Sequence, residues 1–190
     1  WNLGEENTQT TQQRKDMAAY FHAVDPYQHN IVIHTYPGQH SIVYTPLLGP
    51  NSELTGTSIQ TNWDNVHAST LTWLENSVQA GKPWIVANDE QGNANTGVTP
   101  NTGYANFNGP SNHDDIRKQT LWGNLMAGGA GVEYYFGYAN PESDLTCNDW
   151  RSRSGMWNYT WIALDFFRTY LPFWEMESDD GATFASDDFC

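Results

Sequence analysis

The chain has 190 residues, enough to bury one sizeable core and so to form one domain or a large part of one. Against 22 Asp and Glu it sets only eight Lys and Arg, a formal charge of −14. That balance removes the basic surface that nucleic acid or an anionic membrane requires, and no run nears the roughly 18 apolar residues of a membrane-crossing helix.

Aromatic residues are abundant: nine Trp, ten Tyr and eight Phe, 14% of the chain. A core alone does not need so many, so some rings are expected to line a cleft or a contact surface. Rings among Asn, Gln, Thr and Asp suit sugar binding, because pyranose faces stack on rings while hydroxyls bond to amides and carboxylates. The plainer reading of any single Trp is core packing.

The chain opens mid-element on WNLGEEN, with Glu5 and Glu6 behind Gly4. The stretch from Thr8 to Val24 follows, where Met17, Phe21 and Val24 recur at helical spacing behind Thr candidates for the N-cap. NIVIHTYPG then carries a β-branched run (Ile31, Val32, Ile33) halted by Pro37-Gly38, which predicts a buried strand. A Gly-, Pro- and Ser-rich loop leads to LTGTSIQTNW, a shorter strand. The next helix is predicted from Asp64 to Lys82, with Leu71, Leu74 and Val78 on its buried face and Gly81 as its stop.

KPWIVANDEQG is a short apolar run ending in Asp89-Glu90. From Gly92 to Pro110 the chain lacks periodicity, and a loop this long inside a compact domain usually serves function. A helix is predicted from Asp114 to Ala127, then a strand over VEYYFG (Val132 to Gly137), then an aromatic helix from Met156 to Tyr170. Trp122, Trp157 and Trp161 fall in helix patterns and are assigned to packing. The expected division is a barrel portion over 1–175 and, over 176–190, an acidic linker or the first strand of a following β-domain.

Strand ends fall near Glu6, Tyr36, Asn62, Glu90 and Gly137; the first three intervals are about 30 residues and the last, lengthened by the long loop, about 47, against about 31 residues per unit in an eight-fold (β/α) barrel. Apolar strands alternating with helices predict an α/β chain with a parallel sheet. Five strands are too few to close a barrel, so the expectation is strands four to eight of a (β/α)8 TIM barrel, with its N-terminal part missing. A doubly wound open sheet would give similar local signals, but the Gly-rich fingerprint of dinucleotide sites is absent.

In parallel α/β folds the reactive groups gather at the C-terminal ends of strands. Those ends hold Glu5/Glu6, His34/Tyr36, Gln60/Asn62/Trp63, Asp89/Glu90 and Glu133/Tyr135. Two carboxylates facing across a pocket split a glycosidic bond: one donates a proton to the leaving oxygen, the other attacks the anomeric carbon or activates water. Alternation allows only one of Glu5 and Glu6 to face the mouth, so its partner must come from another strand. His34 reads equally as a core histidine or a substrate contact. Gln60, Asn62 and Trp63 read as hydrogen-bonding groups and a stacking platform, or as caps of the following helix. Tyr135 reads as the floor of the site or as packing. None of the six His forms an HxH or HExxH pair, so no metal is expected. Cys147 and Cys190 leave two readings open, one disulfide tethering the tail or two thiols.

GEEN resembles the Gly-Asn-Glu-Pro strand-four motif of the large superfamily of retaining TIM-barrel glycoside hydrolases, and KPWIVANDEQG resembles its strand-seven motif. Nearly the whole chain resembles the latter half of the barrel of bacterial glycoside hydrolases that carry a domain of unknown function before it and a domain labelled collagen-binding after it. The resemblance implies a secreted or cell-surface glycosidase acting on a polysaccharide or oligosaccharide with retention and without a cofactor. By position Glu6 matches the acid/base and Glu90 the nucleophile. Glu5, His34, Tyr36, Gln60, Asn62, Trp63, Asp89 and Tyr135 are then expected to contact the carbohydrate. Two departures stand out: Glu5 replaces the usual Asn that contacts the sugar 2-hydroxyl, and Asn7 replaces the usual Pro. The rival reading is a non-catalytic barrel that binds carbohydrate or matrix.

Overall fold

The structure, a computed structural model, describes residues 1–4, 8–92 and 95–180. Five parallel strands form one sheet in the order β1-β2-β3-β4-β5. They are β1 (Asn2–Leu3), β2 (Val32–Thr35), β3 (Gly56–Thr61), β4 (Ile85–Gln91) and β5 (Gly131–Val132). Every neighbour in the sheet is the next strand in sequence. With right-handed crossovers, that order winds the sheet in one direction and sends the connecting helices to one face. The α/β class and the parallel sheet match the reading of the sequence.

The helices are α1 (Thr11–Val24), α2 (His40–Tyr44), α3 (Val66–Gln79), α4 (His113–Asp115), α5 (Gly123–Met126) and α6 (Ser154–Tyr170). Helix α1 starts at a capping box: Thr10 accepts from the Gln13 backbone, and the Gln13 side chain accepts from the Thr10 N–H. Between α4 and α5 the chain runs as a π-helix over Ile116–Trp122, so the continuous α-helix expected there is wound wider in its middle.

Parallel partners in register share a face, which sorts the strand residues into two sets. Leu3, Ile33, Ile59 and Val86 sit on the helix side and join a core with Ala18, Tyr44, Trp73 and Trp84. A second cluster of Val98, Ile116, Leu121, Met156 and Ala163 forms beneath the later helices, with Val132 and Tyr134 against it. Asn124 staples the two halves. Its side-chain NH2 donates to the Thr70 hydroxyl and the Val86 carbonyl, and its oxygen accepts from the Gly131 N–H.

Three expectations from helical spacing are corrected. In α1 the buried residues are Arg14 and Ala18, while Met17 and Val24 are about half exposed. In α3 the buried face is Val66, Thr70, Trp73 and Ser77, and Val78 points outward. The Trp73 ring, packed edge-on to Tyr44, turns the helix about its axis. In α6, Trp161 is 65% exposed, so it does not pack as expected; Met156 and Ala163 carry the buried face. The last strand is also shorter than VEYYFG. Beyond Val132 one more amide, that of Glu133, bonds to Asn88 of β4, after which the chain turns to partners in the long loop.

That loop is fastened rather than loose. Asn112 accepts from both the N–H and the hydroxyl of Thr99 and donates to the Gly97 carbonyl. Fully buried Arg153 donates to the Val98 and Pro141 carbonyls and lies 4.5 Å from the Phe136 ring centroid. Gly97, at φ +50, meets Gly137 so closely that a Cβ would fall 2.5 Å from the Gly137 nitrogen. This close approach holds the segment after β5 against the loop.

Candidate functional site

Toward the C-terminal ends of the strands the face of the sheet opposite the helices is polar, while Val32, Ile85 and Ala87 occupy it nearer their starts. Asn2 and Gly4 follow from β1, His34 from β2, Ser58 and Gln60 from β3, Asp89 and Glu90 from β4, and Glu133 and Tyr135 from the chain after β5. A cleft of about 530 Å³ lies over the C-terminal ends of these strands. His34, Asp89, Glu90, Glu133, Tyr135 and Tyr138 form most of its lining.

Adjacent residues on a regular strand point to opposite faces, yet Asp89 and Glu90 both line this cleft. The cause is a register shift. Ile59 pairs with Asn88, but the next residue, Gln60, pairs with Glu90, so Asp89 is an extra residue on β4. Such a bulge re-aims side chains and is common beside active sites. Regular alternation would turn only one of Asp89 and Glu90 inward; the bulge brings both to the cleft.

Asp89 is held by three donors. The His34 Nδ1 lies 3.0 and 2.9 Å from its two carboxylate oxygens. The Asn2 amide donates at 3.2 Å, and the Ser58 hydroxyl also bonds to it. Burial opposes the charge on Asp89, but the His34 hydrogen bond and charge, with Ser58 and Asn2, outweigh it and hold the carboxyl below its usual range. An ionised carboxylate only accepts, so the His34 Nδ1 carries a proton. The other ring nitrogen, Nε2, lies 3.9 Å from a Glu90 carboxylate oxygen. Side-chain exposures of 9% for His34, 12% for Asp89 and 18% for Glu90 place this trio under partial cover from water.

Tyr135 and Tyr138 close the far wall, edge to face with centroids 5.9 Å apart. Burial raises the Tyr135 hydroxyl pKa, and the hydrogen bond with Tyr138 and the Glu90 charge raise it further, so it stays a protonated phenol. The long loop supports this wall: the Asn95 carbonyl accepts from the Tyr138 and Ala139 amides, and the Tyr135 carbonyl accepts from the Val98 amide and the Gln91 side chain.

His34, Asp89, Glu90 and Tyr135 are thus brought together among the expected site residues. Four others are not in the cleft. Tyr36 follows β2 but is 40% exposed outside the lining. Gln60 is inward yet only 8% exposed, its side-chain amide oxygen without a hydrogen-bond partner. Asn62 is exposed and its carbonyl closes the turn to Asn65. Trp63 packs on the second core cluster, where Gly92 leaves room for its ring. The turn after β3 carries both away from this cleft, which leaves the alternative of a turn that leads into the following helix. Glu5 and Glu6 lie outside the described residues, as does Cys190; Cys147 is an exposed thiol.

Sequence reasoning missed four contributors. Glu133 and Tyr138 line the cleft, and Asn2 and Ser58 hold Asp89. Ser58 could have been found, since it stands two residues before Gln60 on the same strand face. Among the described residues, no group of three or more His, Cys, Asp or Glu is arranged to hold a metal ion, and no helix is long and apolar enough to cross a membrane. Comparison with protein-family models, with curated proteins and with solved structures found no match for this chain.

Proposed function

We propose that the sheet is an arc of a (β/α)8 barrel, β1 to β5 standing as strands four to eight, and that the protein is a glycoside hydrolase. Sequential winding with an inner face that is polar toward the strand ends supports the barrel. A doubly wound sheet reverses its strand order and covers both faces. The observation that carries the activity is the cleft at the C-terminal strand ends, where Glu90 stands beside the His34–Asp89 pair under a tyrosine wall.

In this reading Glu90 is the nucleophile. It attacks the anomeric carbon and forms a glycosyl-enzyme that water then hydrolyses. Glu6 is the acid/base, protonating the leaving oxygen in the first step and taking a proton from water in the second. The retaining geometry requires the two carboxyl groups about 5–5.5 Å apart. Tyr135 and Tyr138 offer ring surface and hydroxyls to a sugar. No cofactor enters this mechanism, and export to a polysaccharide-rich exterior suits the acidic, aromatic composition.

A screen of polysaccharides and aryl glycosides tests the proposal, with Glu90→Gln and Glu6→Gln as controls. Each substitution is expected to lower kcat by at least about 100-fold while the protein stays folded. Full activity in both variants would overturn the mechanism. Binding of a polysaccharide that neither substitution disturbs, with no hydrolysis, would favour the non-catalytic barrel instead.

A further inference from the structure

We propose that Asp89 is a positioning residue that does not touch the sugar but orients His34 so that its Nε2 faces Glu90 and keeps that carboxylate ionised. The inference rests on the reading of Glu90 as nucleophile and deepens it, because expectation from sequence had made Asp89 and His34 substrate contacts.

Three observations carry it. First, the Asp89 carboxylate is already engaged by His34, Asn2 and Ser58, which spreads its bonds over β1, β2 and β3. Its side chain is 12% exposed, so little of it faces the cleft. Second, the two oxygens of Asp89 straddle the His34 Nδ1 at 3.0 and 2.9 Å, which fixes the Nδ1 proton and the ring plane. Third, the fixed ring turns Nε2 toward Glu90 at 3.9 Å, within ion-pair range and short of a direct hydrogen bond. The β4 bulge is what makes the chain of contacts possible, since without the extra residue Asp89 and Glu90 could not both reach His34.

A nucleophilic carboxylate must be charged when it attacks. A protonated imidazole between Asp89 and Glu90 favours that charge on both neighbours. Opposing it, Glu133 faces the same cleft from beyond β5 as a further negative group. His40 on α2 acts on His34 through space, and among the described residues β1 and β3 present the neutral Asn2, Ser58 and Gln60; the acid/base Glu6 of the proposed mechanism adds a further carboxyl from the β1 side. The phenols of Tyr135 and Tyr138 complete the surroundings. Asp89 offsets Glu133: it holds the positive partner of Glu90 in place.

The test is Asp89→Asn in the natural protein, read in two ways. With an aryl glycoside that the wild type cleaves, kcat is expected to fall on the order of 100-fold with KM within about twofold. The acidic limb of the kcat profile is expected to move upward, because His34 without its carboxylate partner gives up its positive charge and a carboxylate that loses a positive neighbour is harder to ionise. Removal of the Asp89 charge itself acts the other way, so the shift is expected to be smaller than in His34→Gln. His34→Gln leaves Asp89 its charge and is expected to move the limb in the same direction. The second readout needs no substrate: the ring-nitrogen NMR signals of 15N-labelled His34 report its tautomer. They are expected to lose the Nδ1–H form in Asp89→Asn and to shift in Glu90→Gln. A purely structural role for Asp89 would lower stability and leave the pH limb and the Glu90 dependence of the ring signals unmoved, which overturns the proposal. A rise in KM with kcat unchanged also overturns it, since Asp89 would then contact the sugar. If no glycoside is cleaved while the ring signals answer both substitutions, the glycosidase reading fails and the relay stands. If cleavage depends on Glu90 and the ring signals ignore Asp89→Asn, the relay alone fails.

Discussion

The two faces of the sheet obey different rules, and β4 shows both within four residues. Val86 lies on the helix side, fully buried, with Ile33 and Ile59 as neighbours from β2 and β3. Asp89 and Glu90 lie on the other side over a cleft of about 530 Å³. On the helix side the strands keep ordinary alternation, and burial of apolar area holds the layer together. On the open side alternation is broken by one extra residue, and hydrogen bonds between strands take over. The comparison teaches that the helix side specifies where strands sit, whereas the open side specifies what they do.

Paired substitutions make that separation measurable. Ile59→Ala empties a fully buried site beneath β3 and is expected to cost about 2–5 kcal/mol of stability. The proposed glycosidase activity per folded molecule should persist, because the cleft residues on the opposite face are untouched. Glu90→Gln should do the reverse, losing activity at little cost in stability. Chemical denaturation with activity measured on the same samples checks both. If Ile59→Ala removed activity in fully folded protein, the faces would be coupled and the distinction would break.

A smaller effect is expected at the joint between the two core clusters. Asn124→Ala removes two donors and one acceptor from a fully buried position that ties α5 to α3, β4 and β5. The Gly131 N–H would lose its acceptor, so a cost of about 1–3 kcal/mol is expected. Because β5 is only Gly131–Val132, the loss should appear locally as faster hydrogen exchange at Gly131 and Glu133. Glu133 and Tyr135 hang from that short strand, so the tyrosine wall of the cleft should loosen with it. Exchange spread evenly over the sheet would show instead that β5 opens only with the whole fold.

The same contrast explains what could be read from the sequence. The apolar runs at Ile31–Ile33 and Trp84–Val86 are legible because continuous burial leaves continuous hydrophobicity. Three strand ends, at Thr35, Thr61 and Gln91, fall one residue from the expected Tyr36, Asn62 and Glu90. The faces of α1 and α3 were less legible, since spacing of Leu, Met and Val says nothing of the larger Trp73 ring that turns α3 inward. The bulge left no mark, because a register shift belongs to a pair of strands and not to either sequence. Asn62 and Trp63 stand outside the cleft for a related reason: a turn of the backbone after Thr61, invisible in composition, leaves Asn62 in solvent and directs Trp63 to the second cluster. Glu133 stood in view at a strand end beside Tyr135 and was given no role; the early end of β5 at Val132 is what brings it to the cleft.

The smallest expected effect lies at the edge between the faces, where α2 packs beside β2 and β3. His40 stacks on Tyr44 with centroids 5.1 Å apart and meets Trp73 edge-on. Burial presses its pKa down to about 4 from the ordinary 6.5; a hydrogen bond with the Gln60 backbone opposes it, the charge of His34 adds to the lowering, and the Thr35 backbone and the Asp89 charge pull weakly the other way. The folded state therefore resists protonation at His40, while the unfolded chain takes the proton near 6.5. Stability is fully present above 6.5 and declines as the pH falls to about 4, by on the order of 1 kcal/mol once partial solvation is allowed for. Asp25 and Asp89 lie in a lower window, since both are held below the ordinary carboxylate value of 3.8. His40→Phe keeps the ring stack and removes the titration, so its unfolding free energy should fall less steeply between pH 6.5 and 4. Burial also lowers the His113 pKa, so the slope should be reduced and not abolished. Urea unfolding at pH 7, 5.5 and 4.5 measures it. Parallel pH curves for the two proteins would mean that His40 takes its proton without opening the packing around Tyr44 and Trp73, and that the boundary between the two faces is wetter than its burial indicates.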